Sequence, residues 1–211
     1  MVLPFCFRRV LYAPRILYFC SAKIRSLRMK NYPLFFLISL SLFSCSQKED
    51  TLFEELPAEQ TGIDFVNRSL EKKEFNIFNY RNFYNGGGVA IGDVNNDGLS
   101  DLFVTSNFED NKLYLNKGSM KFEDITVKSG IVGKKFWSTG VTFADVNGDG
   151  LMDIYVCNSG SRDQRGNQLY INQGIKGGVP TYKDQAKEAG LEDGGFSTHA
   201  AFFDYDRDGD L

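Results

Sequence analysis

Asp93-Val94-Asn95-Asn96-Asp97-Gly98-Leu99-Ser100-Asp101 places side-chain oxygens at positions one, three, five and nine of a nine-residue stretch, with glycine at six. The pattern returns as Asp145-Val146-Asn147-Gly148-Asp149-Gly150-Leu151-Met152-Asp153. It begins a third time as Asp204-Tyr205-Asp206-Arg207-Asp208-Gly209-Asp210-Leu211. The spacings are 52 residues from Asp93 to Asp145 and 59 from Asp145 to Asp204. Oxygens at positions one, three, five and nine, with a backbone carbonyl at seven, can converge on one point. Hard oxygen donors in that number suit Ca²⁺. The expected ligands are Asp93, Asn95, Asp97, the Leu99 carbonyl and Asp101 in the first loop. In the second they are Asp145, Asn147, Asp149, the Leu151 carbonyl and Asp153. The third offers Asp204, Asp206, Asp208 and the Asp210 carbonyl. The competing account is a metal-free turn in which Asp and Asn bond their own backbone. Such a turn explains one or two acids, not five oxygen positions kept in register twice.

The flanks decide what kind of loop this is. An EF-hand needs a bidentate Glu at position twelve and a helix on each side. Position twelve is Val104 and Val156 here, and the flanking runs Val89-Ala90-Ile91, Leu102-Phe103-Val104, Val141-Thr142-Phe143 and Ile154-Tyr155-Val156 read as strands. Each loop therefore joins two strands of a hairpin. The wider context repeats too. Lys112-Leu113-Tyr114-Leu115-Asn116-Lys117-Gly118 recurs as Gln168-Leu169-Tyr170-Ile171-Asn172-Gln173-Gly174. Phe122 and Asp124 recur as Tyr182 and Asp184, and Ser138-Thr139 as Ser197-Thr198. One supersecondary unit has been copied. Strands are expected near 87–92, 101–106, 112–116 and 121–126, then 139–144, 153–158, 168–172 and 181–185. Four short strands per unit is the grammar of a propeller blade. The expected fold is all-β: a β-propeller fragment of two complete blades and the start of a third, with 62–68 as a candidate outer strand.

Residues Gly87 to Ser106 resemble an FG-GAP (VCBS-type) repeat, the blade of integrin-α-like propellers. Residues 60–211 resemble the N-terminal part of bacterial FG-GAP proteins that often carry an ASPIC/UnbV domain and are related to cartilage acidic protein; Phe136 to Asp145 and Gly62 to Val66 fit that pattern. The resemblance implies no general catalytic activity. It implies roles in adhesion, in ligand or glycan recognition and in surface assembly.

Charge is unevenly distributed. Residues 1–44 hold seven basic side chains and no acid, which leaves 17 bases against 27 acids in 45–211, a net of −10. A body that acidic repels phosphate backbones, so no nucleic-acid partner is expected. One histidine, His199, excludes a multi-His metal site. Neither G-x-S-x-G nor H-E-x-x-H is present, Asn85-Gly86-Gly87-Gly88 fails as a dinucleotide loop, and Gly133-Lys134-Lys135 fails as a Walker loop. The glycine run is read as permitting close strand approach. His199, placed where the preceding unit has Gly140 and in a strand expected to lead into the third loop, and Trp137 are read as packing residues, with ligand contact the lesser alternative.

The N-terminus reads as an address. Met29-Lys30 precedes a ten-residue apolar run, Leu34 to Phe43, too short to span a bilayer and in the range of a signal peptide. Leu42-Phe43-Ser44-Cys45 resembles a bacterial lipobox, making Cys45 the expected lipidation site and 29–44 the signal peptide. Residues 1–28 then read as an upstream extension ahead of the true start, or as a long basic n-region. Residues 45–60 read as a polar tether and 61–211 as the repeat region, cut short inside its third loop. Without Cys6 and Cys20, and with Cys45 carrying lipid, Cys157 alone gives no disulfide framework. The staple is expected to be calcium.

The expected protein is thus an exported outer-membrane lipoprotein of a Gram-negative cell. It touches the membrane through its lipid only and binds a protein or glycan partner without catalysis. The periplasmic and surface faces both stay open, with the charged Lys48-Glu49-Asp50 leaning toward surface display. The alternatives are an accessory region of a larger surface enzyme and a structural scaffold.

Overall fold

In the computed structural model the described residues are 52–131, 137–160, 166–209 and 211, within a compact unit that runs from Phe53 to Leu211. Eight strands form two four-stranded antiparallel meanders. The first comprises β1 (Val89–Gly92), β2 (Asp101–Val104), β3 (Lys112–Asn116) and β4 (Phe122–Asp124). The second comprises β5 (Ser138–Ala144), β6 (Asp153–Asn158), β7 (Gln168–Lys176) and β8 (Val179–Asp184). Each sheet is built in chain order, as the blade reading requires. A single helical turn, α1 (Ala58–Thr61), starts after Pro57 and is ended by Gly62 at φ 77°, within the segment expected to be tether.

The two sheets stack through their facing side chains. Ala90, Val94, Phe103, Leu113, Leu115, Ile125 and Ile131 from the first meet Val141, Ile154, Val156, Tyr170 and Tyr182 from the second. Alternation along β2 and β6 puts Phe103 and Ile154 in this layer with no exposed surface. Each large apolar side chain so buried contributes about 1.5–3 kcal/mol. The innermost strands, β1 and β5, approach at glycines. A Cβ on Gly88 would lie 2.6 Å from the Thr139 carbonyl oxygen, and one on Gly87 would collide with Thr105. The glycine run therefore does permit close strand approach. Gly140 repeats the arrangement against Thr198 and His199, so 197–200 occupies the place that a third inner strand would take.

Three sequence expectations need correction. Residues 62–68 form no strand. They run beside the first sheet, where Asn67 donates to Asn107 Oδ1 at 2.7 Å and Tyr114 donates to Asp64 at 3.3 Å. Residues 197–203, with His199 among them, also form no strand, because no neighbouring ladder among the described residues pairs with them. The β7–β8 hairpin is longer than expected. Gly177 and Gly178, at φ 60° and 79°, make a two-residue turn that pairs Lys176 with Val179.

Trp137 has no exposed surface and packs at 5.1–5.3 Å centroid distances from Phe75, Tyr80, Phe83 and Phe108, so its role is packing. Cys157 is a buried free thiol, pushed up in pKa by burial. Cys45, Met29, the apolar run 34–43 and 1–28 lie outside the described residues, as do Gly133-Lys134-Lys135 and Asp210.

Candidate metal centre

Each of the first two acidic loops links the first two strands of its sheet, where β1 hands over to β2 and β5 to β6. The turn needs two left-handed residues. Position six is Gly98, Gly150 or Gly209 at φ 85°, 79° and 99°. Position four is also left-handed, at Asn96 (56°), Gly148 (71°) and Arg207 (66°). The sequence reading identified position six and missed position four, where Asn and Gly were the available signal.

The first two loops are built alike. Asp93 accepts the Asp97 amide at Oδ1 (3.1 Å) and the Gly98 amide at Oδ2 (2.7 Å). Asp145 accepts the Asp149 and Gly150 amides at 3.1 and 2.8 Å. Asn95 and Asn147 lie across the loop, each donating to the position-five carboxylate, Asp97 or Asp149, at 3.0 Å. Asp97 in turn accepts the Leu99 amide at 2.9 Å, and Asp149 the Leu151 amide at 2.8 Å. In the third loop Asp204 accepts the Arg207 and Gly209 amides at 2.5 and 3.0 Å. There Asp204, Asp206 and Asp208 bring one carboxylate oxygen each to within 4.8 Å of one another.

Position nine differs from the rest. Asp101 and Asp153 have no exposed surface, while Asp97 and Asp149 are exposed. Asp101 accepts Val94 N at 2.9 Å and Asn116 N at 2.8 Å. Asp153 accepts Val146 N at 3.1 Å and Asn172 N at 2.8 Å. Burial pushes both carboxyls above the usual range, their backbone donors pull them down, and the neighbouring loop carboxylates push them up further. Among the described residues neither forms an ion pair with a basic side chain. A buried carboxylate is stable when a cation or a full set of donors answers it. Here one backbone N–H answers each oxygen, and the carboxylate lies beside other acids of its own loop. That donor set fits a hard cation of high coordination number. Asp93, Asn95, Asp97, Leu99 and Asp101 would hold it in the first loop. Asp145, Asn147, Asp149, Leu151 and Asp153 would do so in the second.

A second tier of residues escaped the sequence reading. Asn116 Nδ2 donates to the Ser100 carbonyl at 2.9 Å, and Asn172 Nδ2 to the Met152 carbonyl at 3.4 Å, each bracing the residue before the buried carboxylate. Their signal was visible, since both close the recurring Leu-Tyr-x-Asn run, which reads as sheet packing alone without the register that sets them beside the loop.

The model of the FG-GAP-like repeat matches residues 82–156, a span that holds the whole first sheet and both complete loops. Residues 82–156 are an FG-GAP-like repeat. Cartilage acidic protein 1 of Xenopus tropicalis is 39% identical over 74 residues, 35% of this chain and 11% of that protein. Integrin alpha-8 of Homo sapiens is 35% identical over 117 residues, 48% of this chain and 11% of the integrin. Integrin alpha-4 of Xenopus laevis is 26% identical over 141 residues, 60% of this chain and 14% of that protein. The matched part thus spans about a tenth of each of these relatives. The two four-stranded antiparallel sheets are consistent with FG-GAP β-propeller blades.

Proposed function

We propose that the FG-GAP region is a non-enzymatic, calcium-stabilised binding module, displayed on an exported lipoprotein anchored through Cys45, that recognises a protein or glycan at the cell envelope. The observation that carries the calcium reading is the pair of buried position-nine carboxylates, Asp101 and Asp153, neither of which has an ion-pair partner among the described residues. Calcium would supply the positive charge that the first two loops otherwise lack. The chain's own residues do the rest. Asp93 and Asp145 tie the loop backbone into a turn, Asn95 and Asn147 hold the position-five carboxylates, and Asp101 and Asp153 fasten the loop to β3 and β7 through Asn116 N and Asn172 N. Metal binding then stiffens three strands of a blade at once, so binding energy becomes folding energy.

Recognition falls to the loops that this rigid frame presents. The sequence holds neither a G-x-S-x-G nor an H-E-x-x-H motif, and the integrin-like family is generally non-catalytic, which supports a binding role. Among the described residues no helix is long and apolar enough to cross a membrane. The test is capture of proteins and immobilised glycans by the purified chain, in calcium and in chelator. The expected result is calcium-dependent retention of one partner class. Turnover of a captured glycan or peptide would contradict the reading. For the anchor, a palmitate analogue should label wild type and not Cys45→Ala, and equal labelling would end that part of it.

A further inference from the structure

We propose that the first two calcium loops load as a coupled pair, with Asn96 the residue that links them, an inference that rests on the calcium reading of both loops. Asn96 occupies position four of the first loop, and its Nδ2 donates to the Gly150 carbonyl of the second at 3.1 Å. Gly150 sits between Asp149 and Leu151, two of the expected ligands of the second site. The contact crosses from one blade to the next and joins residues 54 apart.

A second route runs in parallel. Val94 N donates to Asp101 Oδ2 at 2.9 Å, and the Val94 carbonyl accepts Asn172 Nδ2 at 3.4 Å. Asn172 N donates to Asp153 Oδ1 at 2.8 Å. The two position-nine carboxylates are therefore the ends of one hydrogen-bond chain. Asn95 adds a third contact, donating to the Gly178 carbonyl of the β7–β8 turn at 3.0 Å. The first loop is thus bonded to the second blade at three points.

The sense of the coupling follows from what each bond requires. Asn96 reaches Gly150 only when the first loop is wound with Asn96 left-handed, and the acceptor is in place only when the second loop is wound. A cation that orders the first loop fixes the donor, so the second loop has less freedom left to lose. Repulsion between two bound dications acts the other way, but it is screened by salt at these exposed loop tips. The coupling is confined to this pair by residue type. Position four of the second loop is Gly148, which has no side chain to reach the third loop.

Glycine amides give a site-resolved readout, because Gly98, Gly150 and Gly209 each donate to the first carboxylate of their own loop. The experiment is calcium titration of the ¹⁵N-glycine-labelled 211-residue chain by NMR, comparing wild type, Asp97→Ala, Asn96→Gly and the double variant. Asn96→Gly is strain-free at a left-handed position where the second loop already has glycine. Asp97→Ala should shift the Gly150 midpoint to at least about five-fold higher calcium. In the Asn96→Gly background the same change should shift it by clearly less, and the Gly209 midpoint should not move in any variant. An unmoved Gly150 midpoint in Asp97→Ala, or an equal shift in both backgrounds, overturns the coupling while leaving calcium binding intact. If no glycine responds to calcium in wild type, the calcium reading falls and the coupling with it.

Discussion

The Tyr80 hydroxyl donates to the Ser159 hydroxyl at 2.9 Å, a buried bond between residues 79 apart. It ties the segment before β1 to the end of the second sheet. Around it Phe75, Phe83, Phe108 and Trp137 form an aromatic cluster separate from the core between the blades. Ser159 N also donates to the Trp137 carbonyl at 3.0 Å, so the bond and the cluster hold the same junction. Tyr80→Phe keeps the ring and loses the hydroxyl, and should cost about 0.5–1.5 kcal/mol in denaturant unfolding. Tyr80→Ala empties the cluster and should cost about 3–5 kcal/mol. Equal losses in the two variants would mean that packing contributes nothing there.

The blade interface gives a second expectation. Ile154 and Phe103 have no exposed surface and come from facing sheets of one core. Ile154→Ala should destabilise by about 2–5 kcal/mol, whereas Val127→Ala, at a side chain 82% exposed, should stay within about 0.5 kcal/mol of wild type. Urea melts of both variants decide it. If Ile154→Ala matched Val127→Ala, the two blades would not share a core.

Glycines where inner strands meet should resist a methyl group. At Gly88 and Gly140 an added Cβ would lie 2.6 and 2.5 Å from the carbonyl oxygens of Thr139 and Thr198. Backbone cannot swing aside, so Gly88→Ala and Gly140→Ala should each cost about 1–3 kcal/mol. Gly86→Ala meets nothing within 4 Å and should be near neutral or slightly stabilising. Thermal melts of the three variants test this, and a neutral Gly88→Ala would contradict the close approach of β1 and β5.

Much of this architecture was legible before any coordinates. All eight strands were anticipated because short apolar, β-branched and aromatic runs recur at matching positions in both units, so Leu113-Tyr114-Leu115 and Leu169-Tyr170-Ile171 vouch for one another. The loops were legible because five oxygen positions in register have few structural uses. Pairing was not legible. Residues 62–68 and 197–203 have strand-like composition, yet a strand exists only where a ladder partner lies alongside, and composition does not report that. The braces Asn116 and Asn172, and the link from Asn96 to Gly150, depend on which blade follows which and at what register, information that the residues carry only jointly.

Asp124 supplies a pH dependence outside the acidic loops. Burial opposes its charge, but Lys112 Nζ at 2.8 Å and the Thr126 hydroxyl and amide more than offset that and hold its carboxyl below the usual range. A carboxyl depressed in the folded state adds stability above its unfolded pKa and loses it as pH falls through the folded value. The gap in melting temperature between wild type and Asp124→Asn should therefore be full at pH 7 and shrink below about pH 4. A gap unchanged from neutral pH to pH 2.5 would mean that the charge of Asp124 contributes nothing.

Calcium binding at the acidic loops is the claim on which the rest depends. At tenfold excess over the dissociation constant each loaded site adds about 1.4 kcal/mol, so two sites should raise the melting temperature by several degrees. Mg²⁺ should substitute poorly, because it resists dehydration and demands tighter octahedral geometry. The decisive measurement is thermal melting of the chain in calcium, in magnesium and in chelator, with bound calcium counted by native mass spectrometry and Asp149→Ala run alongside. The account predicts a higher melting temperature in calcium only, at least two ions retained, and one fewer ion with a smaller shift in Asp149→Ala. Identical curves in all three conditions, with no calcium retained, would show that these loops are metal-free turns.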